Sequence, residues 1–151
     1  MDSDHAGDKI TRRSHTGILL YINSAPISWY SKKQTTVESS TYGSEFVALR
    51  LASEQIISLR YKLRMFGIPI NGYANVFCDN ESVFKNASFA ESRLKKKHKS
   101  ICFHRVRECV ASMILMPFKV GTNFNLSDIL TKSLSPFKRL SLRKLIMPTH
   151  Q

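Results

Sequence analysis

Residues 74–82 read ANVFCDNES, and this stretch decides the fold class. The apolar run over 74–78 suits a short buried strand, and the chain leaves it through Asp79 and Asn80, which suit the cap of a helix over 81–87. A carboxylate at the C-terminal end of such a strand projects past the sheet into the crevice where α/β proteins bind ligands. A strand passing directly into a helix is α/β wiring.

The same wiring continues upstream. Phe46, Leu49, Ala52, Ile56, Leu59, Leu63 and Phe66 recur every three or four residues, the apolar stripe of one long helix. Its start is expected near Ser40 or Thr41, after the polar loop 32–44, and Gly67 and Pro69 form its stop signal. Before that loop, GILLYIN (17–23) and ISWYS (27–31) read as two strands joined by a short turn at 24–26, a hairpin. Downstream, the basic stretch 88–99 reads as a loop and 100–112 as a helix. MILMPFK (113–119) reads as a strand that Pro117 confines to an edge or an end. Asp128 is expected to open a helix, and Ser135-Pro136 caps a last one with Phe137, Leu140 and Leu145 on its apolar side. No repeat or linker interrupts the series. The expected architecture is α/β with a mixed sheet.

Composition sets the class. The 151 residues are 42% hydrophobic and 23% charged, which suits one folded domain with a single core. No apolar run approaches the length of a membrane span, and the acids Asp2, Asp4 and Asp8 replace the basic and apolar start of a secretory signal. Cys78, Cys102 and Cys109 fit no zinc spacing and are expected to be reduced thiols of an intracellular protein, cytoplasmic or nuclear. The formal net charge is +12. Residues 93–107 (RLKKKHKSICFHRVR) carry seven basic side chains and no acid, and residues 129–151 carry Lys132, Lys138, Arg139, Arg143 and Lys144 and no acid. These two blocks hold the whole excess, so a polyanion partner is expected, nucleic acid before membrane. In the first block Lys95, Lys96, Lys97, Lys99 and Arg105 are the candidate phosphate contacts; a solvated face is the plainer reading of each block.

With only eleven acids in the chain, their placement matters. Asp79 ends a strand, Glu45 lies in the first turn of the long helix, Asp128 lies near a later helix start, and Asp2 and Asp4 precede the hairpin. A metal-dependent phosphodiesterase uses such a set, because only several carboxylates can hold two dications. Taken singly, each reads first as structural, Asp79 and Asp128 as helix caps and Glu45 as a dipole-complementing charge. Spacing alone leaves both readings open. His98 and His104 are poorly spaced as ligands, and His5 and His15 lie near the first Asp.

A series of strings narrows the choice. DSDHAGD (2–8), TRRSHTG (11–17), PISWYSKKQTTVESS (26–40), GSEFVA (43–48), FCDNES (77–82), KKKH (95–98) and LSDILTK (126–132) together resemble the ribonuclease H domain of copia-type LTR retrotransposons, in the family's order, over residues 2–134. The resemblance implies a ribonuclease H-like three-layer fold around a mixed five-stranded sheet, with 135–151 as a basic C-terminal helix or tail. It implies cleavage of the RNA strand of RNA–DNA hybrids with two Mg²⁺ or Mn²⁺ ions. It places the family's four acids on Asp2, Glu45, Asp79 and Asp128. His5 stands where the family usually has Trp, and Tyr42-Gly43-Ser44 replaces a short acidic stretch. Neither change falls on an implied metal ligand.

The resemblance also implies apolar strand residues, and a reverse transcriptase domain, ahead of the first acid. Here only Met1 precedes Asp2, so the first strand is expected to be truncated, with Asp2 on a frayed end and activity weakened. A catalytically inactive nucleic-acid-binding remnant of the same fold is the alternative. An integrase or transposase core would place an acid on a helix well beyond Asp79; Ile114 occupies that spacing, and here the Glu precedes the strand-end Asp.

Overall fold

The computed structural model describes residues 1–89 and 100–147. Along them run β1 (Asp2–Asp4), β2 (His15–Ile22), β3 (Ala25–Lys33), α1 (Thr41–Met65), β4 (Ala74–Cys78), α2 (Glu81–Ser88), α3 (Ser100–Ala111), β5 (Leu115–Lys119) and α4 (Pro136–Ile146). Two 3-10 turns, Thr122–Phe124 and Leu126–Leu130, join β5 to α4. The predicted stretch 88–99 falls almost wholly outside the described residues, and with it Lys95, Lys96, Lys97, Lys99 and His98. No described helix is long and apolar enough to cross a membrane.

Local chemistry accounts for the helices. The Ser40 side chain caps α1 by accepting from the Gly43 amide at 3.2 Å, and the Asn80 side chain caps α2 through the amides of Ser82 and Val83. Phe46, Leu49, Ala52 and Ile56 of α1 are buried, as the apolar stripe requires, and pack with Val76, Cys78, Phe103, Val106 and Leu115 into one core. Phe66, at the far end of that stripe, is exposed, because α1 runs on past the sheet it covers. Gly67 closes the helix at φ +72°, a conformation that a side chain disfavours. The three cysteines are free, and Cys78 and Cys109 are buried.

The sheet departs from expectation. Among the described residues the structure holds a three-stranded antiparallel sheet ordered β1-β2-β3 and a separate two-stranded parallel sheet β4-β5, in place of one five-stranded sheet. The reason is the length of β1. Its three residues pair with the start of β2 in the register Asp2↔Gly17, Ser3↔Thr16, Asp4↔His15. Toward β4, among the described residues, one bond runs, from the Met1 nitrogen to the Phe77 carbonyl at 2.7 Å. The first strand is therefore not paired on both sides. Beyond Met1 an apolar groove of about 690 Å³ opens between Ile18–Ile22 of β2, Ala74–Phe77 of β4, and Ile56, Leu59 and Leu63 of α1.

Two other expectations are corrected. Asp2 is not on a frayed end: it is 0% exposed, with its strand tied to β2 and Met1 seated in the core. Asp128 does not open a helix. It sits inside the 3-10 turn Leu126–Leu130, whose cap is Asn125 accepting from the Ser127 amide. The last helix begins as expected, with the Ser135 hydroxyl accepting from the Lys138 amide at 3.3 Å. It buries Leu142 and Ile146 and leaves Phe137, Leu140 and Leu145 exposed.

Candidate metal centre

Three elements bring carboxylates to one point. β1 carries Asp2, α1 carries Glu45 as its fifth residue, one turn later than expected because the helix starts at Thr41 and its first turn holds no acid, and the residue after β4 is Asp79. Among the described residues, one oxygen from each of these three lies within 4.8 Å of the others. Two full negative charges about 5 Å apart repel by about 3 kcal/mol at an effective dielectric near 20. Such a group is stable only if protons or cations compensate it.

Glu45 shows the strain most plainly. It is 3% exposed, and Oε1 accepts from the Ser3 amide at 3.2 Å while Oε2 is buried without a partner. Burial, and then the charges of Asp2 and Asp79, push its carboxyl up to about 8. Burial and the charge of Asp2 also raise Asp79, against the opposing pull of Lys132. An orphaned, buried carboxylate oxygen facing two more acids is the donor set that a hard dication takes. The residues present therefore fit a divalent metal at Asp2, Glu45 and Asp79.

Asp128 is close by but is not one of the three. It is 1% exposed, and both its oxygens are held by lysines: Oδ1 by Lys132 Nζ at 2.7 Å and Oδ2 by Lys138 Nζ at 2.7 Å. Lys132 Nζ also lies 3.0 Å from Asp2 Oδ1, so one ammonium bridges the two aspartates. The Thr131 hydroxyl donates to Asp2 Oδ2. Burial draws the Lys132 ammonium down, but its bonds to Asp128 and Asp2 and their charges outweigh this and hold it above the usual lysine range.

Several residues that build the site carry no acid and escaped the sequence reading. Gln34, buried, donates through Nε2 to Thr16 Oγ1 at 2.9 Å, to the Ser44 carbonyl at 2.9 Å and to Ser3 Oγ at 3.4 Å. It thereby ties β1 and β2 to the turn of α1 that presents Glu45. Asn125 donates to the Met1 carbonyl at 3.2 Å, fixing β1 to the Asp128 turn, and Ser31 Oγ donates to the Leu130 carbonyl at 2.7 Å. Only Lys132 had a visible signal, standing four residues after Asp128 in LSDILTK. Of the predicted phosphate contacts, Arg105 alone is described; it lies exposed on α3, paired with Glu108 at 2.8 Å.

Comparison with known proteins agrees with the retrotransposon resemblance at a coarser level. No family model and no solved structure matches the chain. It is 33% identical over 149 residues to the retrovirus-related Pol polyprotein from transposon TNT 1-94 of Nicotiana tabacum, covering 99% of this chain and 11% of that protein. It is 33% identical over 134 residues to the Pol polyprotein from transposon RE1 of Arabidopsis thaliana, covering 89% of this chain and 9% of that protein. A stretch of 63 residues is 41% identical to secreted RxLR effector protein 161 of Plasmopara viticola, 42% of this chain and 44% of that protein. The chain spans about a tenth of the length of the Pol polyproteins it matches, and along nearly all of its own length it is homologous to a segment of retrotransposon Pol polyproteins.

Proposed function

We propose that the chain is a retrotransposon-derived ribonuclease H that hydrolyses the RNA strand of RNA–DNA hybrids during reverse transcription. The observation that carries the reading is the convergence of Asp2, Glu45 and Asp79 from three elements, with the Glu45 Oε2 oxygen buried and unpaired. The order of acids in the chain, a helix Glu ahead of a strand-end Asp, is the one the copia-type resemblance implies. Homology to Pol segments supports the same assignment, because reverse transcription makes RNA–DNA hybrids.

Mg²⁺ or Mn²⁺, two ions in the full reaction, would supply the activated water and the stabilised leaving oxygen. The chain's own residues do the rest. Asp2, Glu45 and Asp79 would hold the metal, and Asp128 is the fourth acid of the set. Ser3 orients the Glu45 carboxylate, and Lys132 keeps Asp2 and Asp128 at a fixed separation. The basic block 93–107 and the exposed Arg139, Arg143 and Lys144 of α4 supply positive charge for the hybrid's phosphates. An upstream reverse transcriptase domain is the expected partner, and a retrotransposon particle in the cytoplasm or nucleus the expected place.

The test is cleavage of a labelled RNA–DNA hybrid by the purified chain in Mg²⁺, beside Asp79→Asn. Cleavage that vanishes in the variant while its melt stays cooperative supports the reading; unchanged cleavage removes it. The alternative, an inactive nucleic-acid-binding remnant, is favoured by the two lysines that occupy Asp128. It expects hybrid binding with no cleavage in either protein.

A further inference from the structure

β1 leads from Asp2 straight into the loop 5–14, and this loop carries a basic surface outside both basic blocks of the sequence. Lys9, Arg12 and Arg13 are exposed on it. Lys32 and Lys33, exposed at the end of β3 in register with Thr16 and His15, extend it. Asp8 is the only acid of residues 5–33, and it pairs with Lys33, so no acid within the loop offsets Lys9, Arg12 or Arg13.

The loop is firmly built. Asp8 Oδ1 accepts from the Ile10 amide at 3.0 Å and the Thr11 amide at 3.4 Å, while Oδ2 accepts from the Thr11 hydroxyl and the Lys33 ammonium. The Arg12 amide donates to the Asp8 carbonyl at 2.7 Å, and the Asp8 amide to the Arg13 carbonyl at 3.2 Å. At its base the Ser14 hydroxyl accepts from the Ala6 amide at 3.1 Å, and the Ser14 carbonyl accepts from the Gln34 amide at 2.7 Å. Two features of this frame do not serve the fold. Ile10 is held 91% exposed. Arg12 sits at φ +56°, in the left-handed region that its side chain disfavours and that Gly takes freely. Backbone strain of that kind collects at contact surfaces, where the surrounding bonds impose it.

We propose that this Asp8-stapled loop is a nucleic-acid prong. Arg12 and Arg13 take backbone phosphates of the RNA–DNA hybrid, and Ile10 lies against the sugars of its minor groove. Charge complementarity selects a polyanion over a protein partner. An A-like duplex has a wide, shallow minor groove, which admits a short loop with an apolar tip. Continuity with the acid centre sets the register: one three-residue strand holds Asp2 at its start and the prong at its end, and so fixes the duplex against the carboxylates. The choice of ligand rests on the nuclease reading above, but the test reads binding and needs no turnover.

The experiment measures binding of a fluorescent RNA–DNA hybrid to the full chain in EDTA, by anisotropy across a salt series. Arg12→Gly combined with Arg13→Ala should lower the slope of log affinity against log salt by about 2 and weaken binding at about 0.1 M salt roughly tenfold or more. Its Tm should not fall below wild type, because Gly relieves position 12. Ile10→Ser should weaken binding several-fold at an unchanged slope. Asp8→Ala and Asp8→Asn make the same change of charge, but only Asn keeps an oxygen for the Ile10 and Thr11 amides. Asp8→Ala should bind several-fold more weakly than wild type, and Asp8→Asn should stay near it. In wild type, which needs no substitution, bound hybrid should slow tryptic cleavage after Arg12 and Arg13. An unchanged slope in the arginine variant, tighter binding in Asp8→Ala, or tryptic cleavage unslowed at saturating hybrid overturns the prong and leaves the nuclease reading standing. No binding of hybrid by wild type overturns both.

Discussion

Asp2 stands opposite Gly17 in the β1–β2 ladder, and the absence of a side chain at Gly17 lets the Asp128 turn close over the pair. A Cβ at position 17 would lie 2.7 Å from Thr131 Cγ2, 2.9 Å from Leu130 Cβ and 2.9 Å from the Ser127 carbonyl oxygen. Two of those neighbours belong to the turn's own frame and cannot rotate aside. Gly17→Ala should therefore push the Asp128 turn off β2 and cost about 1–3 kcal/mol, as overpacking does. For a domain of this size that is a fall in Tm of roughly 3–10 °C. Cleavage should fall further than stability alone explains, because Thr131 and Lys132 lose their hold on Asp2. A variant that melts and cuts like wild type would show that the turn adjusts freely.

The protonation of Glu45 gives a pH signature with a definite sign. Its carboxyl is raised from about 4.5 to about 8 in the folded chain. Below the lower value both states are protonated and the group is neutral toward stability. Between the two, the unfolded chain releases a proton that the folded chain keeps, so folding weakens as pH rises. The metal-free chain should thus lose stability between about pH 4.5 and 8, by up to 1.4 kcal/mol per pH unit from this group. The raised carboxyl of Asp79 acts in the same direction. Mg²⁺ should flatten the slope by favouring the ionised form, with proton release on binding, and Glu45→Gln should flatten it without metal. Chemical denaturation across that pH range, with and without Mg²⁺, checks this; the same slope in Glu45→Gln would reject it.

The lysine run 95–97 should govern how binding responds to salt. Every phosphate that a lysine neutralises adds about 0.9 to the steepness of log affinity against log salt. Replacing Lys95, Lys96 and Lys97 by Ala should reduce that slope by roughly 2–3 on a hybrid or a duplex, with no change in Tm. An unchanged slope would make the run a solvated face.

Local signals carried most of the fold, and long-range contacts carried what was missed. The 74–78 strand, the Ser40 and Asn80 caps and the Ser135-Pro136 start lie where the sequence places them, because each is settled by a few neighbouring residues. Asp2, Glu45 and Asp79 were nameable through family strings, although their approach depends on contacts that no local pattern encodes. Gln34 is one such case: its role depends on Ser3, Thr16 and Ser44 meeting around it, and on its own it reads as one more polar loop residue. The pairing of Lys138 with Asp128 is another, set by the angle at which α4 returns. The division into two sheets was hidden for a related reason. A strand's existence is local, but its second partner depends on how far it runs.

Among the described residues, Leu19–Ile22 of β2 pair only with β3, and β4 pairs only with β5, so two strand edges face a cavity of about 690 Å³. β1 runs antiparallel to β2, so chain placed ahead of Met1 would continue past Ile18 toward Ile22, directly into that cavity. Its walls are apolar on the α1 side, from Ile56, Leu59 and Leu63. An added segment of about six residues with alternating apolar side chains should pair along β2 and join the two sheets. Each new ladder bond contributes about 1 kcal/mol and buried apolar surface about 25 cal/mol per Å². Even after the cost of ordering the segment, a net gain of a few kcal/mol should raise Tm by roughly 5–10 °C. The backbone amides of Leu19–Ile22 should become slower to exchange, and hybrid cleavage should rise as Asp2 is held from both sides. A scrambled extension with charges at the alternate positions should do none of this. If the apolar extension leaves Tm and amide exchange unchanged, the groove does not receive a strand, and the two sheets are complete as they stand.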